Sequence, residues 1–188
     1  MADISFLLLA FFLMVSDIKT DKGIARVLPP IPKENDIKPE IHQRNIFIVL
    51  VNFKDDILTT ADDGSGMLKP CSIDQLKGRV KYFLNSNRGE NEKLPEFDYV
   101  DIEGLGNHYK ISKGVISLQC DYSTSYDKYF QVQNELTAAI TELRNELSAR
   151  TFGRADYMDL TKEQRKAVEK AIPMAISEAK SSNKKGGN

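Results

Sequence analysis

Apolar positions are spread unevenly along this chain. One dense block stands at the start, Ile4-Ser5-Phe6-Leu7-Leu8-Leu9-Ala10-Phe11-Phe12-Leu13-Met14-Val15. From Asp17 to Arg44 the pattern dissolves into a polar stretch carrying Leu28-Pro29-Pro30-Ile31-Pro32 and Lys38-Pro39. Proline there sets extended or polyproline geometry and withholds backbone donors, so the stretch reads as a semi-rigid spacer. A compact region begins near Asn45, where strand and helix periodicities alternate.

Ile46-Phe47-Ile48-Val49-Leu50-Val51 is a continuous, largely β-branched run and predicts a strand buried on both faces. Lys54-Asp55-Asp56 is a turn, and Ile57–Thr60 is its hairpin partner. Asp62–Gly66 is a loop. Ser72-Ile73-Asp74-Gln75 fits a capping box, and Ile73, Leu76, Val80, Phe83 and Leu84 continue it at helical spacing. Arg88–Lys113 is long and polar, with Gly89, Pro95, Gly104 and Gly106, and reads as a surface insertion. Val115–Cys120 is the third strand. Thr124 or Ser125 caps the longest helix, whose stripe runs Tyr126, Tyr129, Phe130, Gln133, Leu136, Ile140, Leu143, Leu147, with Glu142, Arg144, Glu146 and Arg150 on the outer surface. Thr161–Gln164 is a second capping box. It opens a short helix through Ala167, Val168 and Ala171, which Pro173 stops. Met174–Ser177 is a last strand, and the tail after it is frayed.

The expected architecture is α+β: a single N-terminal transmembrane helix (1–18), a proline-rich linker (19–45), and a small sheet domain with helices packed on one face (46–179). The domain carries the insertion 88–113, and a disordered tail (180–188) follows it. The membrane reading rests on the first block. A signal peptide wants a positive start, whereas Met1-Ala2-Asp3 is acidic and Val15-Ser16-Asp17 is a poor cleavage site. A span needs ~20 residues, which the block reaches only with Asp3 at the bilayer edge. The written Met1 is therefore expected not to be the natural start, with more helix upstream. Lys19, Lys22 and Arg26 flank the block on its C-terminal side, which by charge alone would leave the rest of the chain in the cytoplasm.

Composition excludes other classes. The 188 residues carry 26 Lys+Arg and 27 Asp+Glu, a net charge of -1, with no basic excess to suit nucleic acid. Hydrophobic residues at 41% and charged residues at 28% exclude a wholly disordered chain and a multi-span protein. The two His, His42 and His108, have no partner at ligand or triad spacing. No Ser or Cys sits in a nucleophile elbow, and Gly104-Leu105-Gly106 lacks the setting of a phosphate loop, so neither enzyme, metal nor cofactor is expected. Cys71 and Cys120 are either a disulfide in an oxidising compartment or two separate buried thiols. Asp3 either caps the first turn of the helix or is an intramembrane acid, a costly group that would need other helices around it.

Several stretches together resemble the ExbD/TolR family of biopolymer transport proteins. Met1-Ala2-Asp3-Ile4-Ser5-Phe6-Leu7-Leu8-Leu9 and Phe11-Phe12-Leu13 are similar to its membrane helix, and Arg26-Val27-Leu28-Pro29 to the Leu-Pro that follows it. Ile46–Asn52, the Ser72–Asn85 helix, and Ile116-Ser117-Leu118-Gln119 leading into Thr124-Ser125-Tyr126-Asp127 resemble its small envelope domain. Gln133-Asn134-Glu135-Leu136-Thr137-Ala138-Ala139 is close to a stretch of one branch. Family members carry a short basic tail before the helix, and here the likeness begins at Met1. The insertion is also longer than in the family pattern.

The resemblance implies a proton-motive-force-driven component of a TonB- or Tol-type system. It would sit single-pass in the bacterial inner membrane with its C-terminal domain in the periplasm, the reverse of the bare charge rule. Asp3 falls on the family's proton-carrying acid. The implied partners are a second copy, an ExbB/TolQ-like pentameric channel protein, and a TonB- or TolA-like transducer that meets the linker at Leu28 and Pro29. The alternative is a membrane-anchored periplasmic module that binds peptidoglycan or an envelope protein and carries no protons.

Overall fold

The computed structural model describes residues 4, 6–9, 11, 42–61, 66–85 and 93–180. The chain divides into two units, Met1–Pro39 and Glu40–Asn188. In the first, Ile4, Phe6–Leu9 and Phe11 are helical, with side chains 53% to 67% exposed. Among the described residues no helix is long and apolar enough to cross a membrane. Asp3, the linker with Leu28 and Pro29, the loop 62–65 and the tail 181–188 lie outside the described residues.

The second unit is α+β. Its strands are β1 (Ile46–Val51), β2 (Ile57–Thr60), β3 (Leu68–Cys71), β4 (Phe97–Ile102), β5 (Gly106–Ser112), β6 (Val115–Cys120) and β7 (Ile176–Lys180). Its helices are α1 (Ile73–Leu84), α2 (Tyr126–Phe152) and α3 (Lys162–Ala171). Five strands form a mixed sheet in the order β3-β2-β1-β6-β7. β1 runs antiparallel to β2 and parallel to β6, which is parallel to β7. A parallel pair needs a crossover. α1 lies on the path from β1 to β6, and α2 and α3 lie on the path from β6 to β7.

The β1 run is not buried on both faces. Phe47, Val49 and Val51 are sealed under α1 and α2 with Ile116, Leu118, Leu76, Val80, Val132, Leu136 and Ile140, whereas Ile46, Ile48 and Leu50 point the other way and are half-buried. An all-apolar strand and an alternating burial pattern coexist because the helices cover one face only.

Four further expectations need correction. The polar insertion contains a hairpin, β4 and β5, whose strands alternate charged and apolar or aromatic residues: Phe97-Asp98-Tyr99-Val100-Asp101-Ile102 faces Gly106–Ser112. Gly104 and Gly106, at φ 90° and 107°, supply a backbone that side-chain-bearing residues resist, so these glycines mark a tight turn. β3 is a strand absent from the sequence reading, and its Pro70 is tolerated because β3 is an edge. In α2, Tyr126 and Phe130 are exposed and Arg144 is buried, the opposite of the predicted sides. The last strand begins two residues later than predicted and runs through Lys180, which had been placed in the tail.

At ~1.5 Å per residue the 27 residues of α2 span ~40 Å, twice the ~20 Å of a six-residue strand. Its second half therefore overhangs the sheet. Leu147 there joins a smaller core with Ile102, Leu160, Ala167, Val168 and Ala171, roofed by the hairpin and α3. Gly114 joins the hairpin to β6 where a Cβ would sit 2.8 Å from Phe83 Cε1, so this corner admits only glycine without movement.

Candidate functional site

The domain is gripped where the chain enters it. Asn45 ends a 3-10 turn, Gln43–Asn45, and is 5% exposed. Its Oδ1 accepts from the Glu96 amide at 2.9 Å, and its Nδ2 donates to Glu96 Oε2 at 3.4 Å. The Arg44 guanidinium pairs with the same carboxylate. That pairing holds the Glu96 carboxyl below its ordinary range, against the opposing effect of burial. Glu96 O in turn accepts from the Lys113 amide at 2.9 Å. This clasp joins the start of β1 to the hairpin across some fifty residues of sequence, and no local motif announces it.

The other end of β1 is held differently. Thr124 Oγ1 donates to Val51 O and Asn52 O at 3.2 and 3.3 Å, and the Asp121 amide donates to Val51 O at 3.0 Å. Asp55, at φ 62°, accepts from the Ser125 amide at 3.0 Å, and that bond lowers the pKa of its carboxyl. Ser125 is the α2 N-cap and accepts from the Lys128 amide. Ser72 occupies the α1 N-cap position but makes no side-chain cap bond, so the predicted box there is absent. The Thr161–Gln164 box forms in both directions.

Charges tie the helices together. Lys77 and Lys81 of α1 meet Glu142 of α2 at 2.6 and 2.9 Å, and Lys81 also meets Glu146 at 2.6 Å. These pairs lower the pKa of the Glu142 carboxyl and raise those of both lysines. Buried Arg144 donates through Nε and a terminal nitrogen to Ile172 O at 3.0 and 2.9 Å and lies 5.5 Å from the Tyr157 ring, fastening the end of α3 to α2.

Among the described residues no constellation of catalytic type is assembled. His108 Nδ1 lies 3.4 Å from Asp101 Oδ1 on an exposed hairpin, and His42 stands at the domain entrance. No group of His, Cys, Asp and Glu among the described residues is placed to hold a metal ion. The register resolves the cysteines: Cys71 pairs with Ile57, Ile57 with Val51, and Val51 with Cys120. Three strand spacings of ~4.8 Å separate them by ~14 Å, twice the reach of a disulfide. Both are free thiols, and burial raises the pKa of Cys120. A groove of about 460 Å³ lies between the hairpin turn at Glu103-Gly104 and α3 at Glu163, Lys166 and Lys170.

Of the three residues singled out from sequence, Asp3, Leu28 and Pro29, all lie outside the described residues. A family model, Biopolymer transport protein ExbD/TolR, matches residues 1–145, from the apolar block through most of α2. A comparison with curated proteins gave no match. The match covers the N-terminal block and four of the five sheet strands with the first crossover, and on it the chain belongs to the ExbD/TolR family of biopolymer transport proteins.

Proposed function

We propose that this chain is the proton-driven moving part of an envelope transport system. Its N-terminal helix stands among the helices of an ExbB/TolQ-like pentameric channel protein. Asp3 takes up and releases protons there, and the linker and domain pass the resulting motion to a TonB- or TolA-like transducer. The chain works as a dimer in the bacterial inner membrane, with its domain in the periplasm. Its output is mechanical, with no chemistry of its own.

The observation that carries this reading is the family match, which begins at residue 1 and so takes in the acid and the apolar block together. Physical argument supports each part. A carboxyl at the edge of hydrocarbon has its charged form penalised, so its pKa rises towards the range in which it can load and unload. Each elementary charge moved through the membrane field gains ~2.3 kcal/mol per 100 mV, enough to bias a two-state element. At the domain, force arriving at His42 meets the Arg44–Glu96–Asn45 clasp and then β1, a central strand bonded to β2 and β6. A pull along such a strand loads its ladder bonds together in shear. The Leu28-Pro29 linker, whose prolines withhold backbone donors, is the place where a transducer docks.

Asp3→Asn is the test. Transport stops while the protein still accumulates and assembles with its channel partner. Normal transport in that variant would leave the alternative, an anchored periplasmic module that binds peptidoglycan or an envelope protein.

A further inference from the structure

We infer that Leu94–Glu96 is a strap held shut by the chain entry, so that displacing Arg44 and Asn45 frees the β4–β5 hairpin and its small core while the five-stranded sheet stays folded. The strap is the segment that leads into β4. Leu94 is 4% exposed and Pro95 is buried, although both stand in a polar stretch. Leu94 lines one small cavity with Gln43 and Arg44 of the entry and with Phe47 and Phe83. Glu96 is bonded to the entry through its carboxylate, to Arg44 and Asn45 Nδ2, and through its amide, to Asn45 Oδ1. Its carbonyl accepts from the amide of Lys113, the residue after β5, so one residue ties both ends of the hairpin to the entry.

The hairpin needs that tie. β4 and β5 pair with each other as a two-stranded sheet, apart from the main one. A lone hairpin is marginal in water unless something else holds it. Towards its turn, Ile102 packs in the small core with Leu147, Leu160 and Val168, and Lys170 Nζ donates to Asp101 O at 3.0 Å. At its open end the clasp does the holding. The main sheet depends on neither, since Phe47, Val49, Val51, Ile116 and Leu118 belong to a separate core under α1 and α2.

Chain order makes the clasp the first part to yield. Arg44 and Asn45 directly precede β1, so a displacement that arrives from His42 reaches them before the strand. Their side-chain bonds converge on one residue, and the Arg44–Glu96 pair is partly open to water, at 37% and 26% side-chain exposure. Bonds of this kind are individually weak. β1 is instead paired with β6 from Ile46 to Val51 and with β2 from Val49 to Val51, ladders whose backbone bonds must give together. Breaking the clasp therefore lowers the cost of opening the hairpin locally and leaves the sheet intact. On the proposed reading, tension in the linker supplies the displacement, and the hairpin lobe is the element that responds to it. The inference rests on that reading for the source of the displacement only.

The test uses the full chain in lipid nanodiscs, read by amide hydrogen exchange. In Arg44→Met and in Asn45→Ala, peptides across Leu94–Ser112 are expected to exchange about tenfold faster than in the parent chain, while those across β1 and β6 stay within about twofold. Lys54→Met, beyond the other end of β1, should change neither. A second measurement uses chemical access. Leu94→Cys, with Cys71→Ala and Cys120→Ala as background, should react with a maleimide about tenfold faster once Arg44→Met is added. Unchanged exchange over the hairpin in both entry variants overturns the inference. So does equal acceleration of β1, which would make the clasp a support of the whole domain. Neither readout involves transport. A failed Asp3→Asn test therefore leaves the strap standing, and a hairpin indifferent to Arg44 and Asn45 sinks the strap alone.

Discussion

Beneath the main sheet, Phe47, Val49, Leu118, Leu136 and Ile140 are at most 2% exposed. Beneath the hairpin, Ile102, Leu147, Leu160 and Val168 form a smaller cluster in which alanines take two further places. The second core is pinned largely by side chains reaching backbone carbonyls: Arg144 to Ile172 O, Lys170 to Asp101 O, and Arg165 to Met158 O. The first core is held by hydrophobic burial, which is non-directional and strong. The second depends on directional bonds whose net worth is only ~1 kcal/mol each. Four strands of the sheet, β1, β2, β3 and β6, and the whole clasped entry lie within the residues matched by the family, and α3 and the edge strand β7 lie beyond residue 145. On the proposed reading, a body that transmits a pull needs the first kind of core, and the second is expected to open locally without loss of the sheet.

Mutations should separate the two cores. Leu136→Ala, at the centre of the first, is expected to cost ~2–5 kcal/mol and to lower the midpoint of global denaturant unfolding. Gly114→Ala pushes a methyl into Phe83 and should cost ~1–3 kcal/mol in the same assay, since the corner has no slack. Arg144→Met strips the Ile172 carbonyl of both donors. It should cost ~1–3 kcal/mol, read as faster amide exchange over Tyr157–Ala171 while the amides of β1 and β6 stay protected. If the sheet amides accelerate equally, the two cores are one cooperative unit.

The two N-caps sharpen the contrast. Thr161→Ala should cost ~1 kcal/mol and fray α3, whereas Ser72→Ala should cost a few tenths at most because Ser72 makes no cap bond. Acid gives the smallest effect. Glu142, Glu96 and Asp55 have pKa values lowered in the folded state, so their contribution is present above the ordinary carboxylate range, ~4, and is lost as pH falls through the lower folded values. Denaturant unfolding at pH 3 against pH 7 should show a modest loss that Glu142→Gln reduces. All three groups face water, so screening keeps the loss small.

What could be read from the sequence follows the same divide. β1, β2, α1, β6, α2 and α3 were legible because each carries a period of apolar residues that packing then uses. The hairpin was not, because β4 sets Asp98 and Asp101 among its apolar residues, β5 carries Asn107, His108 and Lys110, and two glycines stand at the turn, which together look like loop. Arg144 was misplaced because its charge argued for solvent, and the carbonyl that holds it belongs to a segment 28 residues away. The clasp at Glu96 was invisible for the same reason, at a separation of 51. Asp3 stood out early only because one charge beside a run of apolar residues is conspicuous. The chemistry assigned to it came from the family resemblance.

The central claim is that Asp3 carries protons, and proton flux measures it most directly. The chain and its channel partner would be reconstituted together in liposomes under an imposed potential, with internal acidification followed by a pH-sensitive dye. The account predicts flux through the assembled complex with Asp3 present, and a fall to the protein-free background with Asp3→Asn at equal assembly. Equal flux from both complexes would contradict it.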